Sequence, residues 1–494
     1  MKRVMIIAAL FILSGSLFMT IALSGTGGTN SSYSQSSDTS VDSTSQTSTQ
    51  NDTSSLTSQE ISSQDISSEN PSSQTSSDKT SSKVTSSKET SSKETSSKET
   101  SSKETSSKET SSKETSSQTS SDVTSSNEII ETVKPSYGEK RAVWISYLEL
   151  KTMFEGGNKT AFINNFKTAC NNIKGFGLDT VIVHVRPFSD ALYESEYFPW
   201  SHIITGTQGQ DPGFDPLNQM IKIAHDAGLK IEAWINPYRI RTSDITLSQT
   251  NPAVKWASSD YVVSVGINKY YNPAYEEVQD LIVNGVLEII NKYDVDGIHF
   301  DDYFYPNPNE SFDKTAYSTL GGGQTLGDFR RNNVTNLIKK VYTAVKKADP
   351  SMEFGISPQG SSNINYNQQY IDVKTIITLG YIDYVCPQIY YGFENATQPF
   401  AQTVKEWHEY VKGTNVKLYV GLAAYKSGQV DTWAGTGKNE WVNNVDILKR
   451  QVLESRQYST YKGFFIYKYE SMFKLTTSIN WHMTKEKENL QSIF

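Results

Sequence analysis

The feature that most limits what this chain can fold into is an alternation that begins after Pro135. Eight short apolar runs, rich in β-branched and aromatic residues, are separated by longer amphipathic segments. The runs are RAVWISYLEL, DTVIVHVRPF, KIEAWINPY, DGIHFDDYFY, EFGISPQG, DYVCPQIYYG, KLYVGLAAY and GFFIYKYESM. The clearest segments between them predict helices over Thr160–Lys174, Pro216–Ala227, Tyr275–Lys292, Phe329–Ala348, Phe400–Val411 and Trp441–Arg456. Strands that alternate with helices pair in parallel, because a crossover of helix length is what returns the chain to the same end of the sheet. Eight such units over this length predict an α/β fold of the (β/α)8 TIM-barrel type. An open, doubly wound sheet would usually carry a glycine-rich turn after its first strand. The Gly321-Gly322-Gly323 run lies in a long loop instead.

The chain ahead of Pro135 has a different character. Met1-Lys2-Arg3 precedes an apolar run from Val4 to Leu23, with small residues at Ser24-Gly25. A basic start and a hydrophobic stretch predict a signal peptide or membrane anchor over residues 1–25. No Cys follows the run, which argues against lipoprotein processing. Residues 26–132 are dominated by Ser, Thr, Gln, Asp, Glu and Lys, and SSKET repeats from Ser86 to Thr115. Such a stretch cannot bury enough apolar surface to offset its ordering entropy, so it predicts a disordered linker. The barrel is expected over 133–494, outside the cytoplasm, either secreted or held at the cell envelope. Net charge is -8, and no basic stripe is present to neutralise phosphates, so no nucleic-acid partner is expected. The membrane is expected to be a partner only through the N-terminal segment. Cys170 and Cys386 fall in a predicted helix and a predicted strand and are expected to be buried, unpaired thiols.

In a barrel of this type the chemistry comes from the C-terminal ends of the strands and the loops that follow. The unusual polar residues cluster there. The second run ends with His184 and Arg186, placed on one face by strand alternation, and Asp190 lies just beyond. The third carries Glu232, Trp234, Asn236 and Tyr238 on one face, then Arg239. The fourth places His299, Asp301 and Tyr303 together, with Asp302 at the exit. Ser357 and Gln359 end the fifth, Gln388, Tyr390 and Tyr391 the sixth, and Tyr467, Tyr469 and Glu470 the eighth. Rings that stack on sugar faces, amides that bind hydroxyls and carboxylates that move protons are the mixture a glycan site needs. Hydrolysis requires two carboxyl groups about the scissile bond, about 5 Å apart for retention or roughly 6.5–9.5 Å for inversion.

Asp301 is the expected nucleophile or base, with Asp302 or Glu470 as candidate general acid and Glu232 a weaker one. Glu232 lies deep enough in its strand to be a buried structural partner, and Glu470 fits a surface carboxylate equally well. His184, Arg186, Asp190, Asn236, Tyr238, Arg239, His299, Gln359, Gln388 and Tyr390 are expected to bind the sugar. Their plain alternatives are a core histidine, charge neutralisation and aromatic packing. No metal or cofactor is required by this scheme. Two rival classes remain: a glycan-binding barrel without catalysis, and a metal-dependent hydrolase using His184, His299 and Asp301.

RAVWISYLEL, VRPFSDALYESEYFPWS, TGTQGQDPGFDPL, EAWINPYRI and DGIHFDDYFYP resemble the glycosyl-hydrolase-like family 10 group of bacterial envelope proteins. The likeness runs from about Arg141 to the last strand. It implies a hydrolase-like barrel acting on glycans, and cleavage of peptidoglycan glycan strands, including strands stripped of peptide. The pattern DGIHFD is also similar to the fourth strand of several glycosidase barrels, which implies a nucleophile or base at Asp301. The chitinase-like version has Glu two residues later, where this chain has Tyr303, so the second carboxyl must come from elsewhere.

Overall fold

A computed structural model describes residues 138–474 and 480–494. The expected signal or anchor (1–25) and linker (26–132) lie outside the described residues. Eight parallel strands close into a barrel: β1 (Lys140–Ile145), β2 (Thr180–Arg186), β3 (Lys230–Ile235), β4 (Gly297–Phe300), β5 (Glu353–Ile356), β6 (Tyr384–Val385), β7 (Lys417–Ala423) and β8 (Tyr461–Tyr467). Each pairs with its neighbours in chain order, and β8 closes onto β1 through Lys140↔Gly463 to Val143↔Ile466. One major helix follows each strand: α1 (Lys159–Phe176), α2 (Pro216–Asp226), α3 (Glu276–Lys292), α4 (Leu326–Ala348), α5 (Val373–Thr378), α6 (Phe400–Val411), α7 (Ile447–Ser455) and α8 (Asn480–Gln491). The fold is the (β/α)8 barrel that the alternation of runs predicts.

Side-chain alternation sorts each strand between two cores. In β1, Val143 and Ile145 face the helices, while Ala142 and Trp144 face the barrel interior. The interior is filled by Trp144, Ile182, Trp234, Tyr384, Cys386, Tyr419 and Phe465, so it is packed rather than open. The outer layer is larger: Phe162 and Phe166 of α1 and Ile282 and Val286 of α3 belong to one continuous cluster with the strands. Cys170 and Cys386 are both buried and unpaired.

Three local readings are corrected. The segment Trp441–Arg456 is not one helix. A short helix ends at Asn443, and α7 begins at Ile447. The first run is strand only to Ile145. Ser146 then stands at the N-cap of a helix over Tyr147–Phe154, and the Glu149 carboxylate reaches back to accept its backbone N–H at 2.7 Å, which makes the switch from strand to helix abrupt. The β3–α3 connection also carries a small antiparallel sheet over Arg239–Arg241, Val262–Val265 and Asn268–Tyr271. Its tight turn places Gly266 at φ 61, a conformation that favours glycine.

The two ends of the barrel differ. Strand N-termini form a floor where Lys140 pairs with Glu232 and Glu353, Lys417 pairs with Glu353, and the Tyr384 hydroxyl donates to Glu232 at 2.6 Å. Strand C-termini, and the N-termini of the helices that follow them, form the mouth.

Candidate active site

The strand β4 ends at Phe300, which places Asp301 and Asp302 together at the mouth, 3% and 8% exposed. Each carboxylate has its own set of donors. Asp301 accepts from Asn236 Nδ2 at 2.9 and 3.1 Å and from Trp234 Nε1 at 3.1 Å. Asn236 is itself fixed, because its Oδ1 accepts from the Arg239 backbone N–H at 2.9 Å. Asp302 accepts from the Gln359 side-chain amide. Adjacent residues leave a strand in different directions, which is why two neighbouring carboxylates can be gripped by different strands.

Electrostatics separate the two. Burial, and then the charge of Asp301 beside it, push the Asp302 carboxyl up to about 7, against weaker pulls that include the Gln388 amide and Arg239. Burial also raises Asp301, but Arg239 and the donors Asn236 and Trp234 all favour its ionised form. Arg239 lies over the Tyr303 ring at 4.4 Å, and its positive charge is held by the surrounding tyrosines and Asp301 despite its burial. Burial thus pushes both carboxyls upward, Asp302 to about 7, while the cation and the donors that favour a charged form are gathered on Asp301.

His299 lies beneath the pair and serves as a fixed neutral support. Burial, with the Lys140 charge, lowers its pKa to about 3. Its Nε2 meets Trp144 Nε1 at 3.1 Å and Ser357 Oγ at 3.0 Å, and its Nδ1 meets the Tyr384 hydroxyl at 2.8 Å. His184 is also kept neutral by burial and the nearby Arg239, and it stacks on Trp234 with centroids 3.7 Å apart. Neither of its ring nitrogens has a hydrogen-bond partner among the described residues. Among those residues, no group of three or more His, Cys, Asp or Glu is arranged to hold a metal ion.

The other expected residues divide between the mouth and elsewhere. Gln359 and Gln388 flank Asp302, and the Tyr390 ring stands beside Tyr425 and Tyr467 at 5.9 and 5.8 Å. Tyr391 is directed instead toward the helix layer, where a Cβ on Gly360 would touch its ring. Arg186 does not share a face with His184. The pairing of β2 with β3 slips between His184 and Arg186, and this bulge turns Arg186 outward, over the Phe198 ring at 4.4 Å and against Gly285 of α3. Asp190 is fully buried and binds His202 Nδ1 at 2.7 Å and Gln208 Nε2 at 2.9 Å, which ties down the loop after β2. Tyr238 is packed into the outer core. Glu232 belongs to the floor. Glu470 lies in the first turn of the short helix Tyr469–Phe473 after β8, is partly exposed, and pairs with Lys468 at 3.2 Å.

Three mouth residues escape the sequence reading. Tyr147 meets His184 and Phe188 edge-on at 5.6 and 5.1 Å, and Tyr425 extends the ring cluster on the opposite side. Glu149 is the third. It accepts the backbone N–H of Ser146 and of Glu470, both at 2.7 Å, which joins the exits of β1 and β8. Burial raises its pKa, opposed by Lys468. The signal for Glu149 was the capping-box spacing in SYLE.

A family model described as glycosyl hydrolase-like 10 matches residues 139–435. The glycosyl hydrolase YngK of Bacillus subtilis (strain 168) is 36% identical over 354 residues, covering 66% of this chain and 67% of that protein. The glycosyl hydrolase DigH of Escherichia coli (strain K12) is 36% identical over 310 residues, covering 57% of this chain and 70% of its own. Among solved structures, the PgaB (BpsB) glycoside hydrolase domain from Bordetella bronchiseptica aligns at 13% identity with a TM-score of 0.48, over 72% of this chain and 98% of that one.

Proposed function

This chain belongs to the glycosyl hydrolase-like 10 family, and from that premise we propose that it is a glycoside hydrolase with Asp302 as general acid and Asp301 as the ionised partner at the anomeric carbon. The observation that carries the reading is the unequal provision for the two carboxylates. Asp301 receives Asn236, Trp234 and the field of Arg239, whereas Asp302 is buried beside a like charge. Protonation of the leaving oxygen by Asp302 neutralises the alkoxide as the bond breaks. The negative charge of Asp301 meets the positive charge that develops on the sugar ring, as nucleophile or base. Tyr147, Tyr303 and Tyr390 supply the rings against which a sugar face packs.

The substrate we propose is a glycan of the cell envelope, specifically peptidoglycan strands, acted on outside the cytoplasm. The resemblance of the sequence and the signal-like N-terminal segment support this. The metal-dependent alternative draws no support from His299, whose two ring nitrogens are already engaged by Trp144, Ser357 and Tyr384. Incubating the purified chain with peptidoglycan strands stripped of peptide tests the proposal. New reducing ends are expected from the parent protein and not from Asp301→Asn. Tight binding without any product would make this a binding barrel instead.

A further inference from the structure

Beside the mouth lies a cleft of about 820 Å3 that the scheme above does not use. Its walls are the N-terminus of α3, the first turns of α4 and the loop between β4 and α4. Helices in this fold start at the end where strands stop, so the cleft opens on the same end as Asp301, further from the barrel axis. It is built from loops that also serve the site: the β3–α3 connection carries Arg239, and the β4–α4 connection carries Asp302 and Tyr303.

The lining combines rings, amides and carboxylates. Tyr261 and Tyr275 stand with ring centroids 4.8 Å apart and are both partly exposed. Phe329, Asn333 and Asn336 follow one face of α4 at helical spacing, and Gln324 adds another amide. Asn333 is 9% exposed, yet its Nδ2 has no hydrogen-bond partner among the described residues. A buried donor left unmatched is unfavourable, so an acceptor lodged against it on the cleft wall would relieve it. The first turn of α3 has no side-chain cap and adds backbone donors at the same place.

Charge restricts the occupant. Glu276 and Glu277 already stand at the positive end of α3, and the nearby Lys340 is engaged by Glu276 and Asp280 at 2.8 and 3.0 Å. An anion would meet two carboxylates there, whereas an uncharged sugar finds rings, donors and acceptors together. We infer that this cleft is a second glycan-binding site, which takes the uncharged sugar units of the polymer whose cleavage point lies at the mouth. The identity of the polymer rests on the hydrolase reading, while the binding rests on the cleft's own residues.

The test is calorimetric titration of the full-length Asp301→Asn protein with the uncharged N-acetylglucosamine tetramer, repeated with Asn336→Arg added. Asn336 is exposed, so the arginine fills the cleft without disturbing the core. One fewer tetramer bound per chain is expected with Asn336→Arg, and Tyr275→Ala is expected to weaken that same binding event at least tenfold. An oligogalacturonate, which is anionic, is expected to leave the cleft event unseen. Equal stoichiometry and affinity with and without Asn336→Arg would overturn the inference. An inactive parent protein would fail the hydrolase reading alone, because the titration does not depend on turnover.

Discussion

Both ends of this barrel bury carboxylates, and the two ends treat them in opposite ways. At the floor, Glu232 and Glu353 are met by the ammonium groups of Lys140 and Lys417. Burial would raise Glu353, but Lys140 and Lys417 outweigh it and hold the carboxyl down at about 2. At the mouth, Asp301 and Asp302 are gripped mainly by amides and an indole, with Arg239 the nearby cation, and Asp302 rises to about 7. A carboxyl group is thus a settled structural charge at one end and a titrating group at the other. The difference lies in whether a lysine or a second carboxylate is the neighbour.

The strongest way to break the comparison is at the mouth. Asp301→Asn is expected to lower kcat by about 10^3-fold or more, and Asp302→Asn by about 10^2- to 10^4-fold, with little loss of thermal stability. The two are distinguished by the leaving group. An aryl glycoside whose phenolate departs without protonation is expected to restore turnover in Asp302→Asn but not in Asp301→Asn. The pH profile adds a sign. Asp302 must be protonated, so activity falls as pH rises through about 7, and Asp301 must be ionised, so activity also falls on the acid side. Loss of the alkaline limb in Asp302→Asn is the confirming result; an unchanged limb would assign the acid to another group.

The floor is the matching experiment in stability. Lys140→Met leaves Glu232, 1% exposed, without its cation, which is expected to cost about 3–5 kcal/mol in denaturant unfolding. Adding Glu232→Gln should recover part of that loss, because it removes the stranded charge. Turnover per folded molecule is expected to stay within about twofold of the parent, since neither residue reaches the mouth. A fall in kcat at unchanged stability would mean that floor and mouth are coupled through His299, whose pKa Lys140 helps to lower.

The sequence made the barrel legible because each strand and helix carries its own period, and those periods survive without tertiary context. The eight runs begin close to the eight strands, although several run on past the strand ends, and Asp301 and Asp302 stand at a strand exit as their position in DGIHFDD predicts. Parity, however, is fragile. A single bulge after His184 moves Arg186 to the opposite face, and nothing in HVRPF marks where the register slips. Depth is only partly legible. Glu232 reads as a buried structural partner from its depth in KIEAWI, and the floor bears that out, but nothing in the sequence marks Lys140 of β1 as the cation that meets it. The small sheet was closer to legible, since VVSVGINKYY has two β-prone stretches around a glycine turn.

The smallest expected effects give the sharpest contrast, because the two ends should respond to pH with opposite signs. Glu353 holds its proton less tightly folded than its ordinary 4.5, so its contribution is complete above about pH 4.5 and is lost as pH falls toward 2. Glu353→Gln is therefore expected to be less stable than the parent at neutral pH by on the order of 1–2 kcal/mol, allowing for partial exposure, and equal to it near pH 2. Asp302 holds its proton more tightly folded than its ordinary 3.8, so ionising it costs stability as pH rises from there to about 7. Asp302→Asn should then match the parent below about pH 4 and exceed it above pH 7. Melting temperatures of the parent and both variants across this range measure the two differences together. If both varied in the same direction with pH, the mouth carboxylate would be a structural charge like the floor's, and Asp302 could not be the acid.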